Sequence, residues 1–181
     1  MIIEEIDIRT SEKEAREMTN ITMLASSLVK NPKKKYVDLK RKFNNYIIFM
    51  ILMFIVILTF LVSTKRIDAV LFFLLGAYFI LLFFTFSLKK SWDRIYKRFN
   101  NNNINNIKMI FDNEGIEVQS DNQNCKIKWN QIKFFRRNKY VSVFIPKDII
   151  RTYMLFISSK YYEQVKQYIK DNNIDIDIIE E

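Results

Sequence analysis

Tyr46–Ser63 reads YIIFMILMFIVILTFLVS and Ala69–Leu88 reads AVLFFLLGAYFILLFFTFSL, with only Thr64-Lys65-Arg66-Ile67-Asp68 between them. Neither run carries a charged side chain. At about 1.5 Å rise per residue the first covers roughly 27 Å, close to the hydrocarbon thickness of a bilayer, and the second is similarly long. Each central Leu, Ile, Phe or Val favours insertion by about 0.3–0.6 kcal/mol, whereas one central Asp, Lys or Arg would cost about 2.5–3.5 kcal/mol. Lipid offers no hydrogen bonds to the backbone, so such runs cross as helices and not as open strands. A pair of helices in a soluble core would need polar faces at helical spacing, and neither run has them. The pattern predicts a transmembrane hairpin: helix 46–63, external loop 64–68, helix 69–88.

Basic residues orient it. Lys30, Lys33, Lys34, Lys35, Lys40, Arg41 and Lys42 precede the first run, and Lys89, Lys90, Arg94, Lys97 and Arg98 follow the second, against only Lys65 and Arg66 between them. The positive-inside rule then places both termini in the cytoplasm of a cell whose plasma membrane the chain crosses twice. Tyr46, Trp92 and Tyr96 suit an aromatic belt on the same side. Tyr36, Leu39 and Phe43 recur among lysines as on a basic amphipathic helix leading into the bilayer. Lys33, Lys34, Lys35, Lys40, Arg41, Lys42, Lys89 and Lys90 are the expected contacts to anionic lipid, each contributing about 1 kcal/mol. The net charge of +9 is concentrated beside the spans, so membrane lipids, with another membrane protein or peptide, are the expected partners. Nucleic acid is not, and the oligomeric state is open.

The flanking segments divide as follows. Residues 1–45 hold a strand over Ile2–Ile8, then a helix opened by the capping box Ser11-x-x-Glu14, with Ala15, Met18, Ile21, Leu24 or Ala25, and Leu28 on one face, closed by Asn31-Pro32. Their acidic start is not a secretory signal, and the first span can serve as an uncleaved one. Residues 89–106 continue the second helix through Trp92, Tyr96 and Phe99 into an Asn-rich linker, Asn100–Asn106. Over 107–172 the period becomes strand-like. Ile110 precedes the turn Asp112-Asn113-Glu114-Gly115, where Gly115 is expected at positive φ. Ile116 and Val118 alternate, as do Cys125, Ile127 and Trp129; Val141, Val143 and Ile145 oppose Tyr140 and Phe144; Tyr153, Leu155 and Ile157 oppose Met154 and Phe156. These make an antiparallel sheet. A helix over Lys160–Asp171, capped by Ser159, puts Tyr162, Val165 and Ile169 on one face. The tail 173–181 alternates Ile174, Ile176 and Ile178 with Asp175 and Asp177 and reads either as an added edge strand or as a disordered acidic end.

Chemistry is sparse. The chain has no histidine, which removes the usual general base near neutral pH, the imidazole metal ligand and any Ser-His or Cys-His pair. A single thiol, Cys125, builds no multi-cysteine zinc site and fits a reducing compartment, as a small buried apolar residue. Gly76 and Gly115 are the only glycines, too few for a phosphate-binding loop. Gly76, with Ala69 and Ala77, is expected to let the spans approach closely. Trp129 offers a stacking surface, but its alternation reads as core. Asp175 and Asp177 read as solvated tail before cation ligands. Neither span holds an ionisable group for a proton relay. No enzyme activity, cofactor or metal is expected.

The order of features resembles the YcxB-like family of bacterial membrane proteins, and more broadly bacterial pleckstrin-homology-like domains attached to a membrane hairpin. The resemblance is carried by the strand Ile2–Ile8, the paired spans, FDNEGI at Phe111–Ile116, IKWNQI at Ile127–Ile132, the aromatic strand starting at Tyr140, and Ile145-Pro146-Lys147. The interval from Trp129 to Pro146 is shorter than in the family pattern, which leaves the strand order around Pro146 open. The resemblance implies an integral membrane α+β protein: a two-helix transmembrane hairpin plus a small antiparallel-sheet cytoplasmic domain, pleckstrin-homology-like, partly closed and capped by a C-terminal helix. Such folds usually bind. The expected function is a non-enzymatic membrane-anchored binding or scaffold protein; the alternative is a self-immunity protein against a bacteriocin or toxin. An enzyme working through carboxylates alone has no convincingly placed acidic pair.

Overall fold

The structure, a computed structural model, describes residues 1–5, 11–64, 69–101, 107–120 and 123–180. The chain forms two units: Asp38–Ile95 is one, and Met1–Val37 together with Tyr96–Glu181 is the other. Of the N-terminal segment 1–45, Met1–Val37 thus lies in one unit with the strands that follow the hairpin. All of the expected external loop but Thr64, which ends the helix Leu39–Thr64, and most of the Asn-rich linker lie outside the described residues, as do Ile6 and Ile8.

In the larger unit, β1 (Ile2–Glu5), β2 (Ile107–Phe111), β3 (Gly115–Ser120) and β4 (Gln123–Lys128) form one antiparallel sheet in chain order. Strands β5 (Ile132–Arg137), β6 (Val141–Pro146), β7 (Leu155–Ser158) and β8 (Asp177–Ile179) form another, ordered β7-β6-β5-β8. The single antiparallel sheet of the sequence reading is therefore two sheets. The tail is an edge strand, and it runs parallel to β5. Pro146 ends β6 opposite Ile132, which settles the order there: β6 lies between β5 and β7.

Side-chain period explains the layering. Ile3, Met109, Phe111, Ile116 and Ile127 of the first sheet face Phe135, Phe144, Leu155 and Ile157 of the second. Helix α4 (Tyr162–Asp171) closes the same core with Tyr162, Val165 and Ile169. The opposite face of the second sheet, through Phe134, Val141, Val143 and Ile145, packs on Ile21 and Leu28 of helix α1 (Glu12–Lys30). Strand β6 is buried at every position because it is covered on both faces, which is why VSVFIP reads as a nearly continuous apolar run.

Helix α1 begins with the expected Ser11–Glu14 capping box and ends at Asn31. Two buried charges dock it. Glu17, 2% exposed, accepts the backbone N–H groups of Tyr140 and Val141, each at 2.7 Å. Arg136, 1% exposed, donates to the carbonyls of Pro32 at 2.8 Å and Lys34 at 2.7 Å. Lys133 Nζ adds a bond to the Val29 carbonyl at 2.7 Å, filling an acceptor that the helix end leaves open.

In the smaller unit, helix α2 (Leu39–Thr64) and most of helix α3 (Ala69–Asn101) form the hairpin. Both are long and apolar enough to cross a membrane, over Leu39–Leu61 and Phe72–Asn100. They meet at Tyr78, which donates to the Met50 carbonyl at 3.0 Å and stacks on Phe54 with ring centroids 5.6 Å apart. Helix α3 continues through Trp92, Tyr96 and Phe99 as expected.

Several sequence readings are corrected. The basic amphipathic helix does not form over Lys33–Val37: helix α2 starts at Leu39, because Arg136 takes the Pro32 and Lys34 carbonyls that a helix would use internally. Gly76 is not a point of close approach, since a Cβ there would meet nothing within 4 Å. Gly115 does not have positive φ; glycine is required because a Cβ would overlap the Ile127 carbonyl and lie 2.8 Å from the Lys128 Cα. Cys125 is half-buried, and that burial pushes its thiol pKa up. Ser159 does not cap α4; its hydroxyl donates to the Asn138 carbonyl at 3.0 Å from within a short 3-10 turn. Strand β7 begins at Leu155, leaving Tyr153 outside it.

Replacing Gly115→Ala is expected to destabilise the protein by about 2 kcal/mol or more, since the overlapped atoms are backbone. Glu17→Leu removes the acceptor of the buried Val141 N–H and the partly buried Tyr140 N–H and is expected to cost about 2–4 kcal/mol. Urea titration of the detergent-solubilised full chain, followed by tryptophan fluorescence, measures both.

Candidate functional site

The segment after α1 opens with a turn, the Lys34 N–H donating to the Asn31 carbonyl at 3.1 Å, and runs without regular structure to the start of α2, its side chains differing in direction. Lys34 turns inward, its Nζ donating to Ser27 Oγ at 2.7 Å, and the Tyr36 hydroxyl accepts from Asn20 Nδ2 at 2.6 Å. Lys33 and Lys35 are exposed. The Arg136 guanidinium fixes this path, oriented in turn by Asn138 Oδ1 at 3.1 Å from its Nε.

Opposite lies the end of the chain. Strand β8 pairs with β5 in the register Phe134↔Asp177, Phe135↔Ile178, Arg136↔Ile179. Just beyond it, Glu180 accepts from the Tyr162 hydroxyl at 3.2 Å and forms an ion pair with Lys166. Between the two segments is an open groove of about 650 Å³, lined by Lys33, Lys35, Tyr36, Ile178, Ile179 and Glu180. Two isoleucines line it, and Lys166 balances Glu180, the one carboxylate among its described lining residues. Among those residues Lys33 and Lys35 therefore leave a positive excess. The Lys166 ammonium holds the Glu180 carboxyl below the ordinary glutamate range. Burial first, then the Glu180 charge, pushes the Tyr162 hydroxyl pKa well up, so that it stays a neutral donor.

A second polar cluster is structural. The Asp112 carboxylate accepts the N–H groups of Glu114 and Gly115, each at 2.8 Å, and Lys126 Nζ at 2.9 Å. Lys126 also reaches Glu114 at 2.8 Å. Trp129 donates to the Asp112 carbonyl at 2.8 Å and packs on Phe111 and Phe144, so the reading of Trp129 as core holds. The bond from Lys126 lowers the Asp112 pKa, and the two carboxylates raise that of Lys126. FDNEGI and IKWNQI thus meet in one closed knot whose groups satisfy each other. Among the described residues no three His, Cys, Asp or Glu side chains converge as a metal-ligand set.

The expected lipid contacts fall into both units. Lys33, Lys34 and Lys35 belong to the sheet unit, where the first and third line the groove and the second is turned away. Lys40, Arg41, Lys42, Lys89 and Lys90 belong to the hairpin unit. There Lys40 Nζ lies 5.5 Å over the Trp92 ring, and Asp38 Oδ1 accepts the Arg41 N–H at 3.2 Å, capping α2. Sequence reasoning missed Ile178, Ile179 and Glu180 as site residues. Only Ile178 belongs to the alternation visible in the tail, and the segment these residues face lies far away in the chain and is brought near only by the sheet.

Glu180 and Asp112 are both held below their ordinary pKa values, so their ionised forms stabilise the folded state above about pH 4, and that contribution is lost as pH falls through the folded-state values. Amide protection at Ile178 and Ile179, corrected for intrinsic exchange rates, is expected to drop between about pH 5 and pH 3. Lys166→Met is expected to remove most of that dependence. Hydrogen–deuterium exchange of the two proteins measures it, and a flat profile in the parent chain would contradict the coupling.

Comparison of the chain with protein-family models, with curated proteins and with solved structures finds no match.

Proposed function

We propose that the protein is a non-enzymatic, membrane-anchored binding module. Helices α2 and α3 cross the bilayer, and the sheet unit, pleckstrin-homology-like as the resemblance to the YcxB-like family implies, works at the cytoplasmic leaflet and engages anionic phospholipid through the groove at Lys33 and Lys35.

The observation that carries this reading is the exposure of the hairpin. Ile48, Phe49, Leu52, Ile55, Phe60, Phe72, Phe73, Phe83 and Phe84 are all exposed. Soluble monomers rarely leave apolar patches above a few hundred Å² in water, and a bilayer covers such a surface without a further protein partner. Three polar side chains deep within the spans are already satisfied: Thr59 and Thr85 hydroxyls donate to the carbonyls of Val56 and Leu81, and Tyr78 donates to Met50. Hydrocarbon demands that satisfaction.

Chain topology supports the sidedness. β1 pairs with β2, and Glu17 and Arg136 join elements from before and after the hairpin, so both ends of the hairpin must emerge on one side. Two crossings satisfy this, and one does not. The basic flanks favour the cytoplasm as that side. In the groove, two cations beside an aliphatic floor suit a phosphate headgroup with its apolar neighbour.

Alkaline carbonate is expected to leave the protein in the membrane pellet, and tags at both termini are expected to be protease-accessible only in inverted vesicles. Release by carbonate would overturn the anchor. Native mass spectrometry of the detergent-purified full chain is expected to show retained phosphatidylglycerol, depleted in Lys33→Glu/Lys35→Glu, with the difference largest at low salt. Equal retention would remove the groove from the reading.

A further inference from the structure

The connection from β6 to β7 carries the most exposed apolar side chain described in the sheet unit. Ile150 is 97% exposed and Tyr153 77% exposed. The turn that presents them is held by hydrogen bonds. Asp148 Oδ1 accepts the N–H groups of Ile150 at 2.9 Å and Arg151 at 3.3 Å, and the Thr152 N–H donates to the Asp148 carbonyl at 3.1 Å. An isoleucine held rigidly out in water forgoes the burial that its neighbours in the strands achieve.

Lone exposed apolar residues are ordinary on protein surfaces. This turn differs in what surrounds the tip. Lys147 and Arg151 flank Ile150 and are exposed, and the Arg151 guanidinium reaches Asp148 only at 3.7 Å. An aliphatic tip, a nearby phenol and two flanking cations match the layers of an anionic bilayer surface: acyl boundary, headgroup level and phosphate plane.

We infer that the Asp148–Tyr153 turn is a second membrane contact, in which Ile150 inserts shallowly into an anionic leaflet, Tyr153 lies at headgroup level, and Lys147 and Arg151 meet the phosphates. This rests on the reading of α2 and α3 as membrane-spanning. Alone, one isoleucine and one tyrosine would bind a bilayer too weakly to recruit a free protein. Here the sheet unit is continuous in the chain with the hairpin at Val37-Asp38 and Ile95-Tyr96, so the second contact is intramolecular and is favoured by a high effective concentration of membrane. Its consequence is to hold the sheet unit against the leaflet in a set orientation.

The test uses the full chain in nanodiscs, on a Cys125→Ser background, with an environment-sensitive fluorophore at Ile150→Cys or, separately, at Phe79→Cys within α3. At position 150 the expected result is blue-shifted emission, quenched by spin-labelled lipid, in discs containing phosphatidylglycerol. Adding Lys147→Gln and Arg151→Gln is expected to shift the immersion equilibrium toward water, each by roughly fivefold at low salt. Water-like emission at 150 with lipid quenching at 79 overturns the turn's role and leaves the hairpin reading standing. A blue shift at 150 without lipid quenching also overturns it, by showing protein shielding in place of lipid. Water-like emission at 79 overturns the hairpin reading, and this inference with it.

Discussion

The structure depends on the buried docking of an N-terminal arm to a sheet whose strands all come from the other side of the hairpin. Glu17 and Arg136 make this attachment across sequence separations of 102 to 124 residues. Each is a buried charge that meets backbone groups: the carboxylate takes two N–H donors, and the guanidinium takes two carbonyls. Charge-assisted bonds of this kind are stronger than neutral ones, and stripping one partner leaves the other group desolvated and unpaired. The arm therefore has one productive position, and the path of Lys33–Val37 follows from it.

That path shapes both ends of the molecule's work. By occupying the Pro32 and Lys34 carbonyls, Arg136 prevents the basic segment from coiling and spreads it beside β8, with Lys34 turned in and Lys33 and Lys35 turned out. The groove is a by-product of this placement. In the apolar stretches of the hairpin unit three polar side chains follow the opposite rule. Tyr78, Thr59 and Thr85 bond to carbonyls within the hairpin and present carbon outward. The buried polar side chains of the sheet unit thus make long-range attachments, whereas Thr59 and Thr85 bond within their own helices and Tyr78 across the helix pair.

Much of this was legible in the chain, for local reasons. The Ser11–Glu14 box, the apolar faces Ile21–Leu28 and Tyr162–Ile169, the turn at Asp112 and the continuation of α3 past Trp92 are all short-range patterns at helical or strand period. Where the reading failed, a distant group intervened. Gly115 is required by the Ile127 carbonyl on the neighbouring strand, not by its own φ. Ser159 bonds Asn138 instead of capping α4. Tyr36 shares a spacing with Leu39 and Phe43 but belongs to the arm, while they belong to α2. The tail's alternation could not say which strand it would join.

The sequence by itself determined the two apolar helices, their basic flanks, the strand-rich character of the region after them and the absence of histidine, because hydropathy, charge and period are properties of neighbouring residues. Tertiary structure alone decided that the strands divide into two sheets, that β1 and α1 join them from before the hairpin, that β8 runs parallel to β5, and that a groove opens between Lys33–Tyr36 and Ile178–Glu180. These features depend on which backbone donors and acceptors, far apart in the chain, satisfy one another once buried, and no local pattern encodes that choice.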